Sequence, residues 1–248
     1  MNNLLYELNE KAMELYHIIV YRSYNTALGY LCKRCLQLGT INDLAIGYAN
    51  DDYYNLYDYL KSQSYTDEVI VSSGLVIKDE EGNYIHRYNN RIIFPIKDED
   101  NKVVAFGGRA LDDNIKPKYI NTPETMIYSK AKSLCGINIA KDYADNGLIL
   151  VEGYMDLATM YQAGFKNVVA LLGIAITDEQ IELIKKYTNK VILIFDSDLS
   201  GQCATNRAIE KFKAYDIKYT NIKLEGAKDV DEFINKYGAE KINELLKG

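Results

Sequence analysis

The spacing of apolar and polar residues predicts helices in the first part of the chain. Residues 4–20 and 26–38 carry apolar side chains at intervals of three and four, as in amphipathic helices that bury one face. Asn3 and Asn25 stand where amino-terminal caps are expected. A shorter helix is predicted over residues 53–60.

Two β-hairpins are predicted after these helices. Residues 76–77 and 84–85 flank the turn sequence Glu81-Gly82-Asn83. A second pair of strands, 91–97 and 102–110, is joined by a short polar segment. The pattern therefore indicates an α+β fold for this half.

Beyond Gly147, short apolar runs alternate with helical patterns. Such alternation is typical of βαβ units and a parallel sheet. We therefore predict an α/β protein in which an α+β subdomain, residues 1–146, precedes a parallel-sheet subdomain, residues 147–248. The predicted strands are 148–151, 168–172, 191–195 and 217–224, and the predicted helices are 154–163, 178–187 behind Thr177, 201–213 and one beginning near Asp231.

Acidic residues follow three of these strands. The carboxyl ends of parallel strands meet at one edge of the sheet, so the side chains are expected to converge there. Two carboxylates about 4 Å apart repel by roughly 4 kcal/mol at an effective dielectric near 20, so such a cluster requires bound cations or raised pKa values. Mg²⁺ and Mn²⁺ suit these oxygen ligands, whereas for any one pair a role as helix caps or solvated loop residues stays open. The acids are Glu152, Asp156, Asp196, Asp198, Asp229 and Asp231.

The overall charge at first argues against a nucleic-acid partner. The chain has 29 Lys and Arg against 35 Asp and Glu, a net charge of −6. Divalent cations at the acidic cluster would offset most of that charge. Residues 109–141 hold more bases than acids, which suits a polyphosphate or nucleic-acid substrate, although an ordinary solvated face has the same composition.

Other features favour a cytoplasmic protein without a membrane segment. The longest apolar run, residues 168–176, is far shorter than the roughly 18 residues of a membrane-spanning helix. A secretory signal would begin with basic residues and continue into an apolar core. This chain has Glu7 near its start and no such core after it. The 4 cysteines are too few and scattered for a disulfide framework, so reduced thiols are expected.

Several sequence segments resemble one protein family. They are, in chain order, Arg91-Ile-Ile-Phe-Pro-Ile, Phe106-Gly-Gly-Arg109, Pro117-Lys-Tyr-Ile-Asn-Thr-Pro-Glu124, Val151-Glu-Gly-Tyr-Met-Asp156, Phe195-Asp-Ser-Asp198 and Lys228-Asp-Val-Asp-Glu232. Together they closely resemble the catalytic core of bacterial replicative DNA primases of the DnaG type, which contains a Toprim metal-binding fold. Tyr30-Leu-Cys-Lys-Arg34 is similar to the basic motif of that family.

The resemblance implies RNA primer synthesis from ribonucleoside triphosphates on single-stranded DNA by two-metal nucleotidyl transfer. It assigns Mg²⁺, with Mn²⁺ able to substitute, to a main catalytic metal site at Glu152, Asp196 and Asp198. Asp156, Asp229 and Asp231 would serve a second metal or lie behind the first. The implied contacts with nucleotide phosphates are Arg109, Lys118, Asn121 and Lys130, and those with the template or initiating nucleotide are Lys33 and Arg34.

The chain departs from the family pattern at a few positions. Cys35 and Ser197 stand where glycine is usual, and Ile174 stands where threonine is usual, so local loop geometry is expected to differ. Cys32 and Cys35 do not form the family's zinc ribbon, so no zinc is expected and we interpret both as packing residues. A replicative helicase is expected to bind only through a domain absent here, and the chain is expected to be a monomer.

Other functions remain open from the residues alone. A Toprim nuclease or a topoisomerase-like enzyme shares the acidic set. A haloacid-dehalogenase-like phosphatase has a nucleophile loop similar to residues 194–198, although Leu199 departs from it. A non-catalytic module that binds single-stranded DNA is the alternative outside enzymes. Incorporation of ribonucleotides on a single-stranded template, with and without Mg²⁺, distinguishes these functions.

Overall fold

The computed structural model describes residues 1–50, 55–112, 114–173 and 175–247. These residues form two compact units. The first contains Met1–Lys97 and Lys102–Ser129, and the second contains Asp98–Asn101 and the residues from Lys130 onward. The functional division predicted between residues 146 and 147 stays a prediction.

The first helix, α1, spans Asn2–Arg22 and confirms the amphipathic pattern at the start of the chain. The cap assignments were wrong, because Met1 precedes α1 without a side-chain cap and Ser23, rather than Asn25, precedes the next helical turn. Packing of one apolar face therefore stabilises α1 without a cap hydrogen bond. The buried residues recur at intervals of three and four: Leu5, Leu8, Asn9, Ala12, Leu15, Tyr16, Ile19 and Val20.

The second predicted helix is interrupted. A π-helical turn at Tyr24–Leu28 leads into α2 (Gly29–Lys33), and α3 (Leu38–Asp43) begins after a break. Cys35 lies in the break with φ 62, in the left-handed region that ends a right-handed helix. The prediction of one helix over residues 26–38 was therefore wrong at its carboxyl end.

The first unit contains a four-stranded antiparallel sheet and a separate hairpin. The sheet order is β1-β4-β5-β6, while β2 pairs with β3, so both predicted hairpins are confirmed. β1 and β6 were not predicted, because three residues show no periodicity. The strands are β1 (Gly47–Ala49), β2 (Val76–Lys78), β3 (Tyr84–His86), β4 (Arg91–Lys97), β5 (Val103–Ala110) and β6 (Tyr119–Asn121).

In the described residues between β1 and β2, the chain forms two short helices. The helix predicted over residues 53–60 corresponds to α4 (Leu56–Ser62), and residues 53 and 54 lie outside the described part of the chain. Asn55 caps α4 by accepting a 3.1 Å hydrogen bond from the backbone N–H of Asp58. The next helix, α5 (Asp67–Ser72), was not predicted.

α1 packs closely against the antiparallel sheet. A Cβ atom added to Gly47 in β1 would lie 2.5 Å from the Cβ of Tyr16, so this approach requires glycine. The Tyr16 ring meets Phe106 of β5 edge-on, with 5.5 Å between ring centroids. The core of the first unit therefore lies between α1 and the sheet.

The second unit is built on a parallel sheet, as the sequence predicted. Its strands are β7 (Leu148–Val151), β8 (Val168–Ala170), β9 (Lys190–Leu193) and β10 (Lys218–Asn221), in the order β10-β9-β7-β8 with all pairs parallel. The helices are α6 (Ile137–Ala140), α7 (Tyr154–Gln162), α8 (Asp178–Lys185), α9 (Leu199–Ala214), α10 (Val230–Tyr237) and α11 (Ala239–Lys247).

Helices α8 and α9 cover one face of this sheet. Leu150 of β7 and Leu193 of β9 lie in one buried cluster with Ile184 of α8 and Phe212 of α9. Thr177 caps α8, as predicted, by accepting a 3.0 Å hydrogen bond from the N–H of Gln180. Within the described ranges, no helix combines the length and apolarity needed to cross a membrane.

Candidate active site

The predicted carboxylates lie at the carboxyl ends of the parallel strands. Glu152 directly follows β7, and Asp196 and Asp198 follow β9, its neighbour in the sheet. The Glu152 Oε1 atom accepts a 3.0 Å hydrogen bond from the backbone N–H of Asp196. Pairing of β7 with β9 therefore brings two of the three residues predicted to be catalytic into contact.

A serine holds the two acidic loops together. The Ser197 N–H donates a 2.8 Å hydrogen bond to the Lys228 carbonyl, and its hydroxyl donates one of 2.9 Å to the Ala227 carbonyl. The loop after β9 is therefore tied to the segment that leads to Asp229. Ser197 stands where glycine is usual in the family pattern, and glycine has no hydroxyl to make the second of these bonds.

Helix α9 begins very close to the acidic loop. A Cβ atom on Gly201 would lie 2.2 Å from the Asp196 carbonyl oxygen and 2.8 Å from Glu152 Oε1, so a side chain at this position would displace both. Asp198 caps the same helix by accepting a 2.9 Å hydrogen bond from the Gly201 N–H. The first turn of α9 therefore packs against Glu152 and the backbone of Asp196, and its Gly201 N–H binds the carboxylate of Asp198.

Asp198 and Asp229 are both helix caps. Asp229 accepts a 2.8 Å hydrogen bond from the Glu232 N–H at the start of α10, as Asp198 does at the start of α9. The cap alternative left open by the sequence therefore applies to these two residues. Each cap bond uses one oxygen of a carboxylate that has two, so capping and metal binding are compatible.

Asp156 is buried and bonded to backbone groups. Its Oδ2 accepts a 3.2 Å hydrogen bond from the Gly153 N–H, and its Oδ1 accepts one of 3.1 Å from the Asp231 N–H. Burial, followed by the charges of Asp229 and Asp196, raises the pKa of Asp156 to about 8. Asp156 therefore joins the starts of α7 and α10, and its direct contact with a metal stays a prediction.

Asp231 is only 1 % exposed. The Thr159 hydroxyl of α7 donates a 2.6 Å hydrogen bond to its Oδ1, and Asn235 Nδ2 donates to the same atom at 3.1 Å. These bonds anchor α10 to α7 behind the acidic loops. The sequence did not predict Thr159 as part of the site, because a threonine within a helix gives no recognisable signal.

The exposed edge of the cluster carries excess negative charge. Burial, together with the charges of Glu152 and Asp229, raises the pKa of Asp196 to about 7, and Lys228 opposes this shift. Burial also raises the pKa of Glu152, and the charge of Asp198 adds to the shift. The sequence interpretation did not assign Lys228 this balancing role.

The carboxylates at the exposed edge of the acidic cluster fit a divalent cation. Their oxygens are the ligands that Mg²⁺ and Mn²⁺ prefer, and a cation would stabilise the charged forms of Glu152 and Asp196, whose pKa values are raised by burial and by neighbouring carboxylates. Among the residues that the structure describes, no three Asp, Glu, His or Cys side chains already form a metal-binding group. The strand ends therefore gather the carboxylates without placing three in coordinating positions.

In the first unit, Arg109 occupies a buried aromatic site. Its guanidinium lies 4.5 Å from the ring centroid of Tyr30 and 5.9 Å from that of Tyr119, and its Nη1 donates a 2.9 Å hydrogen bond to the Ala110 carbonyl. Arg109 is only 2 % exposed, whereas a phosphate contact calls for an accessible group. Its proposed contact with phosphate therefore stays a prediction, and its observed contacts order the two tyrosines.

The positions of these two tyrosines in the sequence could have identified them as candidate site residues. Tyr30 lies one helical turn before Arg34, within the segment similar to a basic motif, and Tyr119 pairs with Arg109 across β5 and β6. In these two segments the sequence interpretation assigned binding roles to Lys33, Arg34, Lys118 and Asn121 and to neither tyrosine. The structure adds Tyr30 and Tyr119 to the candidate site because both contact the guanidinium of Arg109.

The other predicted binding residues of the first unit are at least partly accessible. Lys33 is exposed on α2, beside a groove of about 640 Å³ that Tyr30 also lines, and Arg34 is half-buried. Lys118 and Asn121, just before and at the end of β6, are both half-buried. Arg91 holds this segment by donating a 3.0 Å hydrogen bond to the Lys118 carbonyl.

Lys130 belongs to the second unit, like the carboxylates. It is exposed on a single 3₁₀ turn, Lys130–Lys132. The Thr177 hydroxyl donates to the Ala131 carbonyl at 2.5 Å, and Gln180 Nε2 donates to the Ser133 carbonyl at 2.8 Å. The start of α8 therefore fixes the position of Lys130, whereas Lys33, Arg34, Arg109, Lys118 and Asn121 all lie in the first unit.

The cysteines differ from their predicted role. Cys32 and Cys35, interpreted as packing residues, are both exposed, so that interpretation was wrong. Cys203 is also exposed, and Cys135 is buried. All four are free thiols.

A parallel sheet with carboxylates after neighbouring strands defines this chain as a protein of the Toprim class. A Toprim-like family model matches residues 149–234, and a model of the DNA primase catalytic core, N-terminal domain, matches residues 15–141. The chain belongs to the DNA primase family. The resemblance found in the sequence and the mixed α/β fold that it implied are both confirmed.

Two curated relatives illustrate the extent of the similarity. DNA primase of Clostridium acetobutylicum is 40 % identical over 98 % of this chain, which covers 40 % of that protein. DNA primase of Staphylococcus aureus strain COL is 33 % identical over 97 % of this chain, which covers 41 % of that protein. The chain thus spans about 40 % of the length of these relatives.

Solved structures of primases have the same fold. The Aquifex aeolicus primase, with zinc-binding and RNA polymerase domains, gives a TM-score of 0.92 at 30 % identity, over 99 % of this chain and 61 % of that chain. A DnaG primase catalytic domain bound to single-stranded DNA gives a TM-score of 0.85 at 32 % identity, over 99 % of this chain and 78 % of that chain.

Proposed function

We propose that this chain is the catalytic core of a primase and joins ribonucleoside triphosphates into RNA primers on a single-stranded DNA template. The observation that supports this most strongly is the contact between Glu152 and the backbone of Asp196 at the ends of β7 and β9. Membership of the DNA primase family supports the choice of primer synthesis among the reactions of Toprim enzymes.

Glu152, Asp196 and Asp198 would hold the cations, with Asp156, Asp229 and Asp231 serving a second cation or supporting the first. Mg²⁺ is the expected ion, and Mn²⁺ would substitute because it accepts the same oxygen ligands. Such ions lower the pKa of an attacking 3′-hydroxyl and neutralise a pyrophosphate leaving group.

The residues of the chain position these charges. Ser197 joins the loops after β9 and before α10, while Gly201 allows the first turn of α9 to pack beneath Glu152. Asp156 and Asp231 hold α7 against α10. No protein nucleophile takes part, because the 3′-hydroxyl of the initiating nucleotide or primer attacks the α-phosphate directly.

Basic and polar side chains would bind the substrates. Lys33 and Arg34 would contact the template or the initiating nucleotide. Arg109, Lys118, Asn121 and Lys130 would contact nucleotide phosphates. One structural neighbour is a primase catalytic domain bound to single-stranded DNA, which supports that partner. A replicative helicase would bind only through a further domain, and we propose that the chain acts as a monomer in the cytoplasm.

Replacement of Glu152 tests this function. Glu152→Gln keeps the size of the side chain and removes its charge, so incorporation of radiolabelled ribonucleotides on single-stranded DNA should be abolished while the melting temperature stays near that of the wild type. Glu210→Gln is the matched control, since Glu210 is exposed on α9 of the same unit. Wild-type incorporation by Glu152→Gln would remove Glu152 from the mechanism.

The same assay distinguishes primer synthesis from the other reactions considered. Incorporation that requires Mg²⁺, ribonucleotides and a single-stranded template supports a primase. Metal-dependent cleavage or relaxation of DNA without incorporation would indicate a Toprim nuclease or topoisomerase. Template binding without either reaction would indicate a non-catalytic module.

A further inference from the structure

Two cysteines lie in one turn at the carboxyl end of α2. The Cys35 N–H donates a 2.9 Å hydrogen bond to the Cys32 carbonyl, and the Leu36 N–H donates one of 3.1 Å to the Leu31 carbonyl. Together these bonds form a Schellman motif, a common ending of an α-helix. A turn closed in this way keeps the Cα atoms of residues three apart within about 7 Å. Cys32 and Cys35 are therefore neighbours in space.

This separation suits a disulfide bond. Disulfides join cysteines whose Cα atoms are roughly 4.4–6.8 Å apart, a range that overlaps that of the turn. The side chains of Cys32 and Cys35 are both exposed, so a reagent in solution can reach both sulfur atoms. Leu31 and Leu36 are buried and hold the turn against the core. A bond between the two cysteines would therefore form at the surface of a fixed turn.

Cys35 occupies a position that favours glycine. Its φ of 62° lies in the left-handed region, where a Cβ atom comes too close to the following carbonyl oxygen. Glycine is the usual residue at this point of a Schellman motif because it has no Cβ atom. A cysteine is therefore unfavourable for ending the helix. What it adds is a thiol in the same turn as the thiol of Cys32.

Two cations lie between the cysteines in the sequence. Lys33 is exposed and Arg34 is half-buried. Lys33 and Cys32 line the same groove of about 640 Å³, and Asp112 is the one acid among the described residues that line it. Fixed positive charges raise the local concentration of anions. The surroundings therefore favour an anionic reagent, such as glutathione disulfide, at these thiols.

We propose that Cys32 and Cys35 form a site of reversible oxidation, at which an anionic low-molecular-weight disulfide converts the two thiols into one disulfide bond. The Cys32 thiolate attacks one sulfur of the reagent, which forms a mixed disulfide and releases one thiolate. The Cys35 thiolate then attacks the Cys32 sulfur and releases the second. The protein loses two electrons and two protons, and the reagent takes up both as two thiols. Excess reduced thiol reverses the two steps.

Oxidation would close a ring that contains Lys33 and Arg34. A disulfide draws the two Cβ atoms to about 3.8 Å, and the sulfur bridge would lie at the groove that Cys32 lines. Because Lys33 and Arg34 are the proposed template contacts, the oxidised chain should bind single-stranded DNA more weakly. This consequence for the template rests on the proposed function, whereas the oxidation site does not.

Thiol–disulfide equilibria test the oxidation site. The full chain is equilibrated with mixtures of reduced and oxidised glutathione, alkylated and mapped by peptide mass spectrometry, both folded and in urea. A Cys32–Cys35 disulfide should form with an equilibrium constant about tenfold higher in the folded chain, because the turn holds the cysteines together. The rate with glutathione disulfide should fall as salt is added, whereas the rate with the neutral disulfide of mercaptoethanol should not.

Two variants serve as controls. Cys203 is an exposed thiol on α9, and Cys203→Ser should leave the Cys32–Cys35 disulfide unchanged. Cys35→Gly places the favoured residue in the left-handed conformation, so its reduced form should melt at a higher temperature than the wild type. It should form only a mixed disulfide at Cys32. An equilibrium constant no higher in the folded chain than in urea, or mixed disulfides alone in the wild type, would overturn the oxidation site.

DNA binding separates this inference from the proposed function. The affinity for single-stranded DNA is measured by fluorescence anisotropy for the reduced and oxidised wild type, and for Cys32→Ser/Cys35→Gly after the same treatments. Only the wild type should lose affinity on oxidation and recover it on reduction. A disulfide that leaves DNA affinity unchanged would overturn the consequence for the template alone. Absence of ribonucleotide incorporation by the reduced wild type would overturn the proposed function and leave the oxidation site.

Discussion

The Thr159 hydroxyl donates a 2.6 Å hydrogen bond to the carboxylate of Asp231, and both residues are buried. This bond joins α7 to α10 behind the acidic loops. Thr159→Val keeps the shape of the side chain and leaves a buried carboxylate with one donor fewer. The free energy of unfolding should fall by about 1–3 kcal/mol, measured by urea denaturation.

Two further variants check that result. Thr159→Ser retains the hydroxyl and should recover most of the lost stability. Thr220→Val, at an exposed position of β10, makes the same chemical change without a buried partner and should alter stability by less than about 0.5 kcal/mol. Equal stability of the Thr159→Val protein and the wild type would show that this hydrogen bond contributes little.

Removal of the Asp196 charge should have opposite effects with and without metal. In metal-free buffer, Asp196→Asn should melt at a higher temperature than the wild type, because it relieves repulsion with Glu152 and Asp229. Mn²⁺ at a hundredfold excess over its dissociation constant should stabilise the wild type by about 2.7 kcal/mol. The variant should show a much smaller rise in melting temperature.

An aspartate outside the acidic cluster provides the control for the metal titration. Asp145 is exposed in the same unit, and Asp145→Asn should retain the full metal-dependent rise. A wild-type melting curve that does not respond to Mn²⁺ at any concentration would contradict a folded cation site at these carboxylates.

Asp67 should make the first unit sensitive to acid. Hydrogen bonds from Lys61, Tyr84 and Tyr57 lower the pKa of Asp67 to about 2. Because this pKa is below the usual value of 3.8, the contribution of Asp67 to stability is complete above about pH 4 and is lost as the pH falls towards 2. Asp67→Asn should reduce the change in unfolding free energy over that interval, as measured by denaturation at several pH values. The same slope in Asp67→Asn and the wild type would contradict this assignment.

Arg109→Lys should weaken nucleotide binding more than template binding. A lysine replaces the planar guanidinium with a compact charge and loses much of the contact with the rings of Tyr30 and Tyr119. We expect lower affinity for ATP and little change for single-stranded DNA, measured by calorimetry and fluorescence anisotropy. Loss of DNA binding with unchanged ATP affinity would reverse the assignment.

Lys33→Gln tests the predicted template contact, as Arg109→Lys tests the predicted nucleotide contact. Lys33 is exposed on α2, where a template phosphate could reach it. If it makes one phosphate contact, the slope of log K against log salt for single-stranded DNA should become shallower by about 0.7. An unchanged slope would remove Lys33 from the template contacts.

The sequence by itself determined the main elements and the position of the acids along the chain. The apolar periodicity of α1, the two hairpins and the alternation after Gly147 are local patterns, because side-chain burial repeats with the period of each element. Glu152, Asp196 and Asp198 were identifiable because each follows a recognisable strand. A resemblance carried by several short segments then identified the family.

Only the tertiary structure decided how those residues divide their roles. Burial and hydrogen bonds distinguish Asp156 and Asp231, which join α7 to α10, from Glu152 and Asp196 at the accessible edge. The guanidinium of Arg109 packs against two aromatic rings because α2 and β6 place Tyr30 and Tyr119 beside it.

The break after α2 and the cavity beside Asp196 also depend on the fold. Cys35 adopts a left-handed conformation that its side chain does not favour, so helical periodicity alone predicted that the helix would continue. That cavity has a volume of about 430 Å³, and Gln202 of α9 and Asn221 of β10 both line it because α9 packs beside β10. Contacts between residues far apart in the chain determine burial, pKa and cavity shape, and local sequence patterns do not contain that information.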